Sequence, residues 1–151
     1  MQREISLRGR AYPTDLNPSG TVFGGWIMAK MDKAASIAVE NIVLSNTVTV
    51  KVSDLHFIQP IKNGDIVTIY TTLKKIGVAS LTVNVDVQVK HRISNKEYAV
   101  SNADFSFVTL DDNMKPIPVL DVIRDNAPQE AVNLARMCSI TPCDNIYHDN
   151  D

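Results

Sequence analysis

From Leu81 to Lys90 the chain alternates without a break. Leu81, Val83, Val85, Val87 and Val89 are separated by Thr82, Asn84, Asp86, Gln88 and Lys90. A period of two sustained over ten residues puts every aliphatic group on one face, the pattern of a strand with one buried and one wet side. Such a strand needs neighbours, and the sequence supplies them. Ser94-Asn95-Lys96 turns the chain into Glu97 to Leu110, with Ala103, Phe105 and Phe107 inward. Upstream, Thr47 to Gln59 reads as a strand ended by Pro60, and Asn63-Gly64 turns into a strand from Asp65 to Ile76, after which Gly77 begins a turn. Arg3 to Tyr12 forms a first strand, with Ile5 and Leu7 on one face. Val (17) and Ile (14) outnumber Leu (9) more than three to one, as β-branched side chains suit a pleated surface.

One segment departs from this period. Residues 26–43 contain no Pro or Gly and include Ala29, Ala34, Ala35 and Ala38, so they read as a helix. At about 100° per residue, Ile27, Met28, Met31, Ala35, Ala38, Val39 and Ile42 share one arc, and Lys33 and Glu40 point away. Trp26 and Ile37 fall outside the arc, which predicts burial on more than one side. Asp32 sits at the arc's edge. One strand, one long helix and four antiparallel strands make an α+β plan, and a twisted sheet wrapped around a central helix is the hotdog fold. Beyond Pro116, Pro118 and Pro128 a short helix is predicted near Gln129 to Met137. The expected division is a domain over 1–118 and a C-terminal extension, 119–151, with a short helix and a flexible tail.

Charge and composition narrow the function. Lys plus Arg is 15 and Asp plus Glu is 17, a net charge of -2 that argues against nucleic-acid or polybasic membrane binding. No apolar run approaches the roughly twenty residues of a membrane span. Met1-Gln2-Arg3-Glu4 has no apolar stretch of a signal peptide behind it, so a cytoplasmic protein is expected. Cys138, Cys143 and His148 do not match a zinc spacing, and the cysteines are expected to be free thiols. No GxSxG, Walker loop, GxGxxG or HExxH occurs. His56 and His91 fall on or near strands and His148 in the tail, which disfavours a histidine base beside the helix.

The run Asn17-Pro-Ser-Gly20-Thr-Val-Phe23-Gly24-Gly25-Trp26-Ile27-Met28-Ala-Lys-Met31-Asp32 is the most specific feature. Gly24 and Gly25 put bare backbone at a helix N-terminus, where unpaired N–H groups and the positive dipole end can stabilise a developing oxyanion. Taken alone, the dipeptide is also explained by tight packing of the helix start. Asp32 read alone is a surface carboxylate, yet it borders an apolar face, where an unpaired charge is expensive. With Val48-Thr49-Val50, Phe57-Ile58-Gln59-Pro60-Ile61, Gly64-Asp65 and Ala103-Asp104-Phe105-Ser106-Phe107-Val108, this run resembles the bacterial YciA-type acyl-CoA thioesterases of the hotdog superfamily over residues 4–118. The resemblance implies hydrolysis of acyl-CoA without metal or organic cofactor. It assigns Asp32 as the catalytic carboxylate, acting as general base or nucleophile, and Asn17 as a residue that helps hold the water or thioester, with Gly24 and Gly25 the expected oxyanion donors. Phe23 and Trp26 lie in the same motif and are expected against the substrate.

Gly25 and Asp32 are seven residues apart, about 10 Å along one helix, too far for one carbonyl to meet both. Two antiparallel helices from two chains would bring them together, so a homodimer with shared sites is expected. The resemblance further implies three such dimers in a hexamer. Similar enzymes hold the CoA phosphates on a Gly-Arg-Ser-Ser turn. Here it reads Gly77-Val78-Ala79-Ser80, so Gly77 and Ser80 match and the Arg is missing. Lys90 and Arg92, with Lys74, Lys75 and His91, are substitutes for neutralising phosphate. The competing readings are a non-catalytic acyl-CoA-binding or regulatory hotdog module, and a thioesterase acting on acyl-carrier-protein or aryl-CoA esters.

Overall fold

The computed structural model of the chain describes residues 2–140. β1 (Glu4–Arg10) leads through one turn of 3-10 helix (Pro13–Asp15) into α1 (Gly24–Glu40). β2 (Asn46–Phe57), β3 (Ile66–Ile76), β4 (Ser80–Lys90) and β5 (Glu97–Leu110) follow, then α2 (Val119–Val122) and α3 (Gln129–Ile140). The strands form one antiparallel sheet in the order β1-β3-β4-β5-β2. The alternating strand β4 is at its centre, and all five of its aliphatic side chains are fully buried. Phe105 and Phe107 of β5 stand opposite Val83 and Leu81, continuing the inward face. α1 lies on that face and touches all five strands, which is the expected hotdog arrangement.

The helix differs from the sequence expectation in two respects. It starts at Gly24 rather than Trp26, so both glycines belong to its first turn. It is also fully buried along one face only, through Ile27, Met31, Ala34, Ala35 and Val39. Met28 and Ile37 are each 37% exposed. Nine residues apart, they occupy opposite flanks. Trp26 is half-buried against the core, so contact extends past the main face there, whereas Met28 and Ile37 leave part of each flank open, which limits the expected burial on several sides.

β2 is an edge of the sheet and is not regular. Its register with β5 shifts between Thr49 and Lys51 and again between Ser53 and His56. Within the second irregularity Asp54 has φ 57°, a left-handed conformation that a non-glycine residue rarely adopts. Val48 and Val50 are exposed on this strand.

The segment after β5 packs on the domain as far as it is described. Leu44 N–H donates to Val122 O at 2.8 Å and Arg124 N–H to Ile42 O at 2.8 Å. The Arg124 Nε donates to Glu40 O at 2.7 Å, satisfying a carbonyl at the C-terminal end of α1. Ala131 and Ala135 of α3 join the core. Cys138 is buried and disulfide-bonded, correcting the expected free thiol there. Cys143, His148 and the expected tail lie outside the described residues. Among the described residues, no helix is long and apolar enough to cross a membrane.

Candidate active site

The lead-in loop is shaped by Asn17. Its Oδ1 accepts from Ser19 N–H at 2.9 Å and Thr21 N–H at 3.2 Å, and its Nδ2 donates to Thr21 Oγ1 at 3.1 Å. Gly20, at φ 83°, makes the sharp return that only glycine takes cheaply. Both ends of the Asn17 amide are engaged inside its own turn, which delivers Phe23 to the helix start.

No side chain caps α1. Among the described residues, no acceptor engages the N–H of Gly24 or Gly25, so the positive end of the helix is open. A Cβ on Gly25 would meet nothing within 4 Å, whereas one on Gly24 would meet the Phe57 ring at 3.4 Å. Tight packing therefore does not account for Gly25. Phe57, at the end of β2, is 50% exposed and covers the helix start from one side. With Val22, Gly24, Ile27, Ile58, Gln59 and Pro60 it lines a cavity of about 330 Å³.

Asp32 is half-buried two turns further along. Its Oδ1 accepts a 2.6 Å hydrogen bond from Thr49 Oγ1, which reaches inward from β2. Its Oδ2 has no hydrogen-bond partner among the described residues. Gly25, Met28 and Asp32 are spaced i, i+3, i+7 and so form one stripe on the flank of α1. Thr49 on the edge strand β2 touches that stripe, and exposed Met28 lies between its two ends. Within one chain Gly25 and Asp32 share a flank but do not meet.

The remaining candidates are dispersed. Phe23 is 51% exposed beside the open helix start. Trp26 turns to the other flank, where the Lys30 ammonium lies over its ring at 5.4 Å and Leu7 and Val67 share its cavity. Gly77 and Ser80 are buried in the β3–β4 turn, where Gly77 N–H donates to Ser80 O at 2.8 Å. Lys90 and Arg92 lie at the far end of β4, ten residues and about 33 Å away. One chain does not gather these into a single phosphate site. Thr49 and Phe57 were not singled out by their own residue type. Thr49 was findable from the period of β2, which points it inward.

A match to the family model described as Thioesterase superfamily spans residues 19–94. An acyl-CoA thioester hydrolase of Haemophilus influenzae, itself uncharacterised, is 41% identical over 72% of this chain and 73% of its own length. The acyl-CoA thioester hydrolase YciA of Salmonella typhimurium is 36% identical over 78% of this chain and 91% of its own. Among solved structures, an aspartate-to-alanine mutant of HI0827, a hexameric broad specificity acyl-coenzyme A thioesterase, superposes with a TM-score of 0.77 at 34% identity, covering 91% of this chain and 98% of that one. Cj0915 of Campylobacter jejuni, a hexameric hotdog fold thioesterase, gives 0.74 at 26% identity, over 88% and 96%. With its sheet wrapped on α1 and its glycine-led helix, this chain belongs to the YciA-like acyl-CoA thioester hydrolase family of the thioesterase superfamily.

Proposed function

We propose that the protein hydrolyses acyl-CoA thioesters to a free carboxylic acid and CoA, in sites shared between two chains. The observation that carries this reading is the stripe on α1. The open Gly24 and Gly25 N–H groups stand at one end and the Asp32 carboxylate at the other, beside the unpaired edge of β2. Two copies related by a two-fold axis, with antiparallel helices, set Gly25 of one against Asp32 of the other.

In that arrangement the thioester oxygen faces the helix start. Asp32 takes a proton from water as the resulting hydroxide attacks the carbonyl carbon, and the negative charge on the oxygen is held by the glycine N–H groups. Collapse breaks the carbon–sulfur bond, and the departing thiolate recovers the proton from Asp32. In the alternative route an Asp32 oxygen attacks directly, CoA leaves, and water cleaves the mixed anhydride. Thr49 holds one carboxylate oxygen and leaves the other for either task. Neither route calls for a metal or an organic cofactor. Asn17 serves through the loop it shapes.

The same two-fold relation favours a composite CoA site. The Gly77 turn lies at the C-terminal end of α1 and Lys90 and Arg92 at its N-terminal end, so antiparallel chains bring the one near the other. HI0827 and Cj0915 are hexameric, which supports a trimer of such dimers here. The deciding experiment measures release of the CoA thiol across a series of acyl chain lengths. Wild type should turn over, and Asp32→Ala should lose at least about a hundredfold in kcat while remaining folded. Near-normal turnover by folded Asp32→Ala would remove Asp32 from the mechanism. Tight binding without turnover by wild type would make the protein a non-catalytic binding module.

A further inference from the structure

Behind the cavity wall lies a buried carboxylate that the chemistry above does not use. Asp65 is 1% exposed. Its N–H donates to Lys62 O at 3.1 Å, and its Oδ2 accepts from Lys62 N–H at 2.9 Å, closing a turn in which Gly64 takes φ 86°. The Tyr98 hydroxyl, from the start of β5, donates to the same Oδ2 at 2.9 Å and lies 3.3 Å from Pro60 O. No cation pairs with Asp65 among the described residues, and its Oδ1 is buried without a partner. Stability alone is a poor account of such a group, because a buried carboxylate with an orphan oxygen is costly.

What the pair does is fasten one segment from the rear. Residues 58–62 are tied at their beginning by Ile58 N–H to Val100 O at 2.7 Å and to the helix lead-in by Val22 N–H to Ile61 O at 2.9 Å. The forward side of this segment, Ile58, Gln59 and Pro60, is the cavity wall that faces Gly24. Asp65 therefore links the starts of β3 and β5 to the back of that wall through one oxygen atom.

We propose that Asp65 and Tyr98 are positioning residues, holding the 58–62 wall at a set distance from the start of α1 and so fixing which acyl groups the cavity accepts. This rests on the thioesterase reading. Burial, and then Asp65 itself, push the Tyr98 hydroxyl up to about 12, so it remains a donor at any working pH.

The test uses Tyr98→Phe, which keeps the ring and removes one donor, and Asp65→Ala, which removes the acceptor of both hydrogen bonds. Two measurements are made on each full-length protein: amide hydrogen exchange, and kcat and KM over a series of acyl-CoA chain lengths. In Tyr98→Phe the Ile58 and Lys62 amides, the hydrogen-bonded N–H groups of this wall, should exchange about tenfold faster while those of β4 stay unchanged. KM for the best substrate should rise about tenfold with kcat within about twofold, and the chain-length preference should flatten. Asp65→Ala should change both in the same direction and at least as far as Tyr98→Phe. Unchanged exchange at 58–62 would overturn the clamp. Faster exchange there with unchanged KM and unchanged chain-length preference would overturn the positioning role, and faster exchange throughout the sheet would make Tyr98 a folding residue only. A wild-type protein that hydrolyses no acyl-CoA would sink the thioesterase reading, whereas the exchange data would still decide the clamp.

Discussion

The Thr49 hydroxyl donates a 2.6 Å hydrogen bond to Oδ1 of Asp32, joining the middle of α1 to an edge strand of the sheet. A carboxylate on a helix flank has several rotamers within reach, and a short hydrogen bond from a stiff β-branched residue selects one of them. The unengaged Oδ2 is then held in a fixed direction.

Thr49→Val removes that donor at nearly constant volume. We expect kcat to fall about tenfold with KM within about twofold, the pattern of a group that orients another in the transition state. Thr49→Ser keeps the hydroxyl and should recover most of the rate. Steady-state kinetics decide it, and an unaffected Thr49→Val would mean that Asp32 needs no such support.

The two glycines should respond differently to alanine. At Gly25 a Cβ meets nothing within 4 Å, so Gly25→Ala should raise stability by about 0.5–1 kcal/mol, as expected for a helical glycine. The same methyl would stand where a thioester must approach the helix start, and activity should fall about tenfold. At Gly24 the new methyl would instead come into ordinary contact with the Phe57 ring at 3.4 Å, so Gly24→Ala should be tolerated by the fold while touching the cavity wall. Thermal melts and turnover on the same samples check both. A Gly25→Ala enzyme with full activity would move the ester away from this end of α1.

A site drawn from two chains can be reconstituted. Asp32→Ala keeps its own N–H donors, and Gly25→Pro keeps its own carboxylate while losing the Gly25 N–H. Proline is sterically acceptable in a first helical turn, and the folding of this variant is established first by circular dichroism. Each homodimer should be nearly inactive. After subunit exchange about half the dimers are mixed, each with one intact site, so activity should approach a quarter of wild type. If exchange is demonstrated and activity stays at the level of the single variants, the site is confined to one chain.

Tyr98 makes stability depend on alkaline pH. Its hydroxyl is pushed from 10.0 up to about 12 by burial and by Asp65, so the fold favours the neutral phenol. That contribution is complete below about pH 10 and disappears as pH rises through 12. Lys74, held above its usual range by Asp104, also loses its contribution on the alkaline side, but it does so in wild type and variant alike. The stability difference between wild type and Tyr98→Phe should therefore shrink between about pH 10 and 12, as read from denaturant midpoints. A difference that is flat with pH would contradict the hydrogen bond.

The fold was legible wherever one periodicity was pure. The alternation of 81–89 identified the central strand, and the breaker-free stretch after Trp26 identified the helix within a few residues at each end. The strand order was not legible, because alternation says which face is buried and nothing about which neighbour is paired. The four-residue α2 also escaped notice, being too short to show a period. In the site, the Gly24-Gly25 and Asp32 spacing was enough to infer that one chain does not unite them. The Thr49 contact, the Phe57 cover and the Asp65–Tyr98 pair depend on contacts across 17 to 33 residues of sequence. Local pattern carries no information at that range.

The left-handed Asp54 in β2 has a consequence for how this molecule meets others. A long, flat edge with exposed valines at 48 and 50 is a template on which further strands could add without limit, the first step toward aggregation. A residue at positive φ breaks the even spacing of N–H and C=O groups, and Lys51 and Asp54 place charge along the same edge. A further register shift between Thr49 and Lys51 interrupts the stretch ahead of it, so no long run of this edge presents an even template. An edge broken in this way is a poor template for open-ended strand addition.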